Sequence, residues 1–176
     1  MAEIEEALFP SACAALYRRA MLDDVAVDGE VFDEDFFAYR EDADLAWRAR
    51  LRGWSALYVP SGTALHVRRV TPGRRAELPP ELNRMSVRNR FLLRIKNQPA
   101  SQFIRFAPQA LARDLQVVGY ALVREHSSLP AIPEVVRLVP RMWRKRKVIL
   151  GRRRVPVAEL TAWFYQRSRP LAAPPA

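Results

Sequence analysis

Glu41-Asp42-Ala43-Asp44-Leu45-Ala46-Trp47-Arg48-Ala49-Arg50-Leu51 is the stretch whose reading decides the fold. Acids open it and bases close it. That order suits a helix, whose dipole favours anions at the N-terminus and cations at the C-terminus. Leu45 and Ala49, with Ala46 beside them, give an apolar stripe at helical spacing. Asp44 and Arg48 stand four apart and can pair across one turn. Gly53 sits where a glycine ends a helix. Spacing alone therefore predicts a short helix over 41–51 with acids in its first turn, and it asks for no chemistry.

The wording around the helix adds more. Phe32-Asp33-Glu34-Asp35-Phe36-Phe37-Ala38-Tyr39 leads into it and Gly53-Trp54 follows it. Taken together, Phe-Asp-Glu-x-Phe-Phe-Ala-Tyr-x-Glu-Asp-x-Asp-Leu-x-Trp-Arg-x-Arg-Leu-x-Gly-Trp resembles the acceptor-side motif of family 2 glycosyltransferases, in particular the rhamnosyltransferase-like bacterial members. The resemblance runs from Ser11 to Asn97. It implies an α/β fold: the C-terminal part of a glycosyltransferase A domain, which is Rossmann-like, over 1–80. A mainly α-helical basic extension over 81–170 and a disordered tail over 171–176 are expected to follow. The family's paired glycines before the Phe-Asp-Glu turn are missing, since Ala26-Val27-Asp28-Gly29-Glu30-Val31 stands there.

The same resemblance assigns roles. The Glu-Asp pair opens a helix at the floor of the family's active site and its Asp is the catalytic base, which by position is Asp42. Inverting glycosyl transfer needs such a group to take the acceptor's hydroxyl proton. Glu41 is expected to orient the loop or the acceptor. In several family members a His at the place of His66 helps hold a divalent metal, manganese or magnesium, on the nucleotide diphosphate; imidazole nitrogen suits such an ion. Asp44, Trp54, Arg68 and Arg69 complete the residues expected near substrate, with Arg74 and Arg75 further along the same loop. Asp42 and Asp44 do not read as a metal chelate, because two positions on a helix turn the side chains about 200° apart. Trp47 reads as core; Trp54 is open to sugar stacking or core. His126 reads as a helix-end residue.

Composition bounds these readings. The chain has 176 residues, 49% hydrophobic, enough for one domain with a real core. The single Cys13 excludes an internal disulfide and a Cys-rich zinc site, and fits a reducing cytosol. Met1-Ala2-Glu3-Ile4-Glu5-Glu6 is acidic where a signal peptide would be basic. The apolar run 117–123 is far short of the roughly 20 residues that cross a bilayer. Net charge is +10 but uneven. Residues 1–60 hold 6 Lys/Arg against 13 Asp/Glu, while 61–176 hold 23 against 6. A basic half attracts polyanions.

Along the chain, small residues over 11–18 predict a buried strand and 19–25 a short helix. Strands are predicted at 55–59 and 63–67, a polar loop at 68–80, and helices at 81–97, 108–126 and 133–147. A short helix opens at Val155-Pro156. Residues 141–154 carry eight Lys/Arg and no acid, interleaved with Met142, Trp143, Val148, Ile149 and Leu150. Arg144, Lys145, Arg146, Lys147, Arg152, Arg153 and Arg154 are expected to meet anionic lipid at the inner face of the plasma membrane. Nucleic acid is disfavoured because Trp143 is the one stacking ring in that run.

No glycine-rich phosphate loop and no earlier Asp-x-Asp are found. The expectation is therefore the acceptor-side portion of an inverting glycosyltransferase, inactive without a nucleotide-binding N-terminal half. The donor would be dTDP-rhamnose or a UDP-sugar, and the acceptor a cell-surface glycan or lipid-linked sugar. The alternative is a non-catalytic basic module that docks on anionic membrane or nucleic acid.

Overall fold

A computed structural model describes residues 3–66 and 78–165 and the backbone of 168–170. Among these residues six α-helices dominate: α1 Arg19–Val25, α2 Glu41–Leu51, α3 Pro80–Asn97, α4 Ala100–Val123, α5 Ala131–Gly151 and α6 Val157–Trp163. Prolines mark four of their starts, at the first position of α3 and at the caps of α4, α5 and α6. There the missing N–H is one the helix cannot use. Three short strands, β1 Glu5–Ala7, β2 Ala56–Tyr58 and β3 Ser168–Pro170, pair antiparallel in the order β2-β1-β3.

Ala12–Ala14 is a 3-10 turn, where a buried strand was expected. The Ser11 hydroxyl accepts from the Cys13 N–H at 3.5 Å and curls the chain locally. Leu16 stands fully in solvent, so small size did not mean burial. Glu5–Ala7 supplies the central strand β1, ahead of the first element expected from sequence. Residues 63–66 form no strand. Helix α4 begins eight residues before Pro108 and runs through it, so the carbonyl of Ile104 lacks its i+4 donor there. Helix α5 likewise runs through Pro140. Residues 67–77, which hold most of the loop expected over 68–80, and residues 171–176, where a disordered tail was expected, lie outside the described residues.

The expected boundary at 80/81 is not a boundary of packing. Val27, Phe36, Trp47 and Leu51 share one core with Leu92, Leu93, Met142, Ile149 and Leu160. A second cluster, Met21, Val25, Leu45 and Ala49, fastens α1 to α2. Arg84 and Arg88 near the start of α3 pair with Glu134 near the start of α5, and Arg146 near the end of α5 donates to the Ile95 carbonyl near the end of α3. The two helices therefore run parallel, with α4 as the return. The glycosyltransferase A assignment rests on the resemblance; the described residues show helices and one small antiparallel sheet.

Candidate active site at the head of α2

The loop into α2 is wound tightly. Phe37, Tyr39 and Arg40 all have positive φ, at 56°, 66° and 70°. Each is disfavoured for a side chain with a Cβ and persists only where the surroundings hold it. Asn89, fully buried on α3, does the holding. Its amide nitrogen lies 2.8, 2.8 and 2.9 Å from the carbonyls of Phe36, Ala38 and Tyr39. Arg88 adds a bond to the Asp35 carbonyl at 2.6 Å. With two hydrogens for three acceptors, Asn89 shares one between carbonyls.

This loop delivers Glu41 and Asp42 at the N-terminus of α2, half-buried. Asp42 accepts from the Ala43 N–H at 2.7 Å and from the Ala12 N–H at 3.4 Å, and pairs with no cation among the described residues. Tyr17 lies beside both acids. Burial raises its phenol pKa, and the charges of Asp42 and Glu41 raise it further. The Tyr17 hydroxyl and Glu41 Oε2 are buried without a hydrogen-bond partner among the described residues. Phe32 meets the Tyr17 ring edge-on at 6.3 Å. The head of α2 thus gathers two carboxylates, a phenol and an aromatic ring. Tyr17 and Asn89 were missed from sequence. Tyr17 had no local signal, whereas Asn89 stood among apolar residues on one helix face, a position that asks for a buried partner.

Asp44, expected near substrate, is elsewhere. It is fully buried. It accepts from Arg48 at 2.9 Å, Lys96 at 2.8 Å and Asn97 at 2.7 Å. Arg48 passes on to the Val25 and Val31 carbonyls, both at 2.6 Å. Lys96 also reaches Asp33 at 2.6 Å. Asp33 accepts at 2.7 Å from Lys145, which in turn meets Glu30 and Asp35 at 3.0 Å. Burial pushes the Asp33 carboxyl up, but Lys96 and Lys145 outweigh it and hold the group at about 2. Asp44 is a structural anchor, and the i,i+4 pair with Arg48 is as its spacing predicts.

The remaining expected residues divide. Trp47 is core. Trp54 is half-buried; its indole N–H donates to Asp24 at 2.8 Å. Hydrogen bonds from Arg52 and Trp54 hold the Asp24 carboxyl at about 2. Trp54 also lines a cleft of about 170 Å³ with Glu6, Arg50 and Glu159. That cleft lies at the C-terminal end of α2, about 16 Å along the helix from its head at 1.5 Å per residue. Trp54 and Asp42 therefore do not form one site. His66 is an exposed residue outside regular structure. Among the described residues no three His, Cys, Asp or Glu side chains are placed to hold a metal. Arg68 and Arg69 lie outside the described residues. His126 lies in a 3-10 turn, His126–Ser128, just past the end of α4, its Nε2 2.8 Å from the Leu122 carbonyl.

The basic run is also divided. Lys145 is buried in the ion cluster and cannot meet lipid. Arg146 is half-buried on the Ile95 carbonyl, and burial lowers its pKa. Arg144, Lys147, Arg152, Arg153 and Arg154 are exposed, though Arg152 donates to the Ala26 carbonyl at 3.2 Å.

Comparison with known proteins gives a short likeness to a glycosyltransferase. The chain is 46% identical over 43 residues to N-acetylglucosaminyl-diphospho-decaprenol L-rhamnosyltransferase of Mycobacterium tuberculosis, in strain CDC 1551 / Oshkosh and equally in strain ATCC 25618 / H37Rv. The match covers 24% of this chain and 14% of the length of those relatives. No family model matches, and no solved structure does.

Proposed function

We propose that the chain is the acceptor-side part of an inverting glycosyltransferase, with Asp42 as its base. The observation that carries this reading is the contrast on one helix between Asp44, held by three cationic or amide donors, and Asp42, which among the described residues meets backbone N–H groups and no cation. Asp42 removes the proton of the acceptor hydroxyl as that oxygen bonds to the anomeric carbon. The bond from this carbon to the nucleotide diphosphate breaks, and the diphosphate leaves with the electron pair. Glu41 and Tyr17 have hydrogen-bonding atoms with which to orient the acceptor sugar. Their buried Oε2 and hydroxyl support that role.

The relative's name concerns L-rhamnosyl transfer and N-acetylglucosaminyl-diphospho-decaprenol. By extension we assign this chain a nucleotide-activated deoxysugar donor and a lipid-linked or cell-surface glycan acceptor. A divalent metal held in part by His66 belongs to this reading of the complete enzyme; among the described residues no three such ligands stand together, and no step here is routed through an ion.

The test is Asp42→Asn in a chain joined to a nucleotide-binding half. Donor binding should stay, while transfer should fall by about 10²–10⁴, the usual contribution of a general base. Retention of most turnover removes Asp42 from that role.

A further inference from the structure

Helix α4 is 24 residues long, yet Gln102 and Ala121 are its buried residues. Its outward side carries Ile104, Pro108, Leu111, Leu115, Val118 and Leu122. Spacings of four and three keep these six within about 80° of arc, along roughly 27 Å of helix. Four of them are largely in solvent: Ile104 at 72%, Leu111 at 61%, Leu115 at 65% and Leu122 at 56%. Helix α5 repeats the pattern with Ile132, Val136, Val139 and Trp143, all exposed and again four, three and four apart.

Charge accompanies both rows. Arg105, Arg113, Arg124, Arg137, Arg144 and Lys147 are exposed on or just beyond these helices. The acids of the same helices are engaged elsewhere. Asp114 pairs with Arg90 and Arg94, and Glu134 with Arg84 and Arg88, all on α3. Each of the two helices therefore carries an exposed hydrocarbon row together with exposed cations, and Trp143 lies in the row of α5.

We infer that α4 and α5 each dock an apolar, cation-bearing face on an anionic lipid bilayer. Amphipathic helices with bases on the polar side and Trp or Leu on the other lie in the membrane interface, and indole rings settle at headgroup level. No helix among the described residues is long and apolar enough to cross a membrane, so these helices lie on it. A second copy fits less well. Two such surfaces would bring like charges together, and neither helix keeps an unpaired acid to offset them. The inference differs from the sequence expectation in its residues: the hydrocarbon comes from α4 and the outer row of α5, and Lys145 and Arg146 take no part. It does not rest on the glycosyl-transfer reading.

The experiment is co-sedimentation of the whole chain with vesicles of phosphatidylcholine alone or mixed equally with phosphatidylglycerol, at low and high salt. Binding to the mixed vesicles that weakens with salt is expected. Leu111→Glu with Leu115→Glu, and separately Val136→Glu with Val139→Glu, should each weaken it about tenfold or more, since each pair removes hydrocarbon from the interface. Circular dichroism should show both variants folded. Four results would overturn the proposal: no binding, binding indifferent to lipid charge, binding unchanged in both pairs, or a wild-type dimer that the α4 pair converts to monomer. A loss confined to one pair overturns the part assigned to the other helix.

Discussion

Charge is buried where α2, α3 and α5 meet, and hydrocarbon is exposed along α4. In the first region Asp33, Asp44, Arg48, Lys96 and Lys145 lie almost wholly out of water. In the second, a row of large aliphatic residues faces solvent over five turns. With 49% of its residues hydrophobic, the chain has apolar side chains enough to fill its interior. The inversion therefore reflects what each region specifies. A buried ion pair adds little net stability over well-packed hydrocarbon, but it demands particular partners. Here Asp33 joins the loop to α3 through Lys96 and to α5 through Lys145, and Asp44 joins α2 to α3. A slip of any element would strand a charge. The register of the head of α2 is fixed in this way, whereas the exposed row on α4 specifies no partner among the described residues.

The largest test of that contrast is Lys145→Met. The change leaves Glu30, Asp33 and Asp35 crowded without their shared ammonium, and breaking a buried pair from one side costs about 3–5 kcal/mol. Urea unfolding should show this loss. A loss below about 1 kcal/mol, a typical surface-pair value, would mean that the cluster is hydrated and not a buried lock.

Acid should dissolve the same lock. Asp33 is held at about 2 in the folded chain against about 3.9 unfolded, so its folded pKa is depressed. Its contribution is then present above about pH 4 and is lost as pH falls toward 2, amounting to about 2 kcal/mol. Asp24, also held at about 2 by Arg52 and Trp54, adds to the loss in the same window. Unfolding midpoints measured from pH 6 to pH 2 should fall below pH 4. A flat profile would contradict the paired state of both groups.

A smaller effect is expected at Asn89. Asn89→Ala removes the donor shared by three carbonyls of the loop, and leaving buried acceptors without partners costs about 1–3 kcal/mol. The strained residues Phe37, Tyr39 and Arg40 should relax, which hydrogen exchange of the 36–40 amides would register as faster exchange. Unchanged exchange would show that Arg88 and the packing of Phe36 suffice.

Much of α2 was legible because its signals are local. Acids first, bases last, the Asp44–Arg48 pair, Trp47 in the core and Gly53 at φ 90° all follow from neighbours within four residues. The role of Lys145 was not legible. In a run of bases it looks like its neighbours, and its partners stand 110 to 115 residues earlier. Asp44 was misread for the same reason: its spacing named Arg48, but Lys96 and Asn97 lie more than fifty positions away. The strand expected over 11–18 failed because small side chains permit burial without requiring it. The helix over 108–126 was placed too late because Pro108 was taken as a start, when α4 carries it inside.

The smallest effect is the most discriminating for α4. Leu111→Gln with Leu115→Gln should change unfolding free energy by no more than about 0.5 kcal/mol, as exposed substitutions do. Each leucine keeps more than 60% of its surface in water, so little burial is lost when it becomes polar. Leu45→Ala, at a fully buried position on α2, should cost about 2–5 kcal/mol by emptying core volume. If the paired change on α4 instead lowered stability by more than about 1.5 kcal/mol, the value of a buried leucine, the row would be covered in the folded protein. Near-neutrality would mean that those leucines do nothing for the isolated fold. Their regular spacing along α4 would then need an explanation outside it.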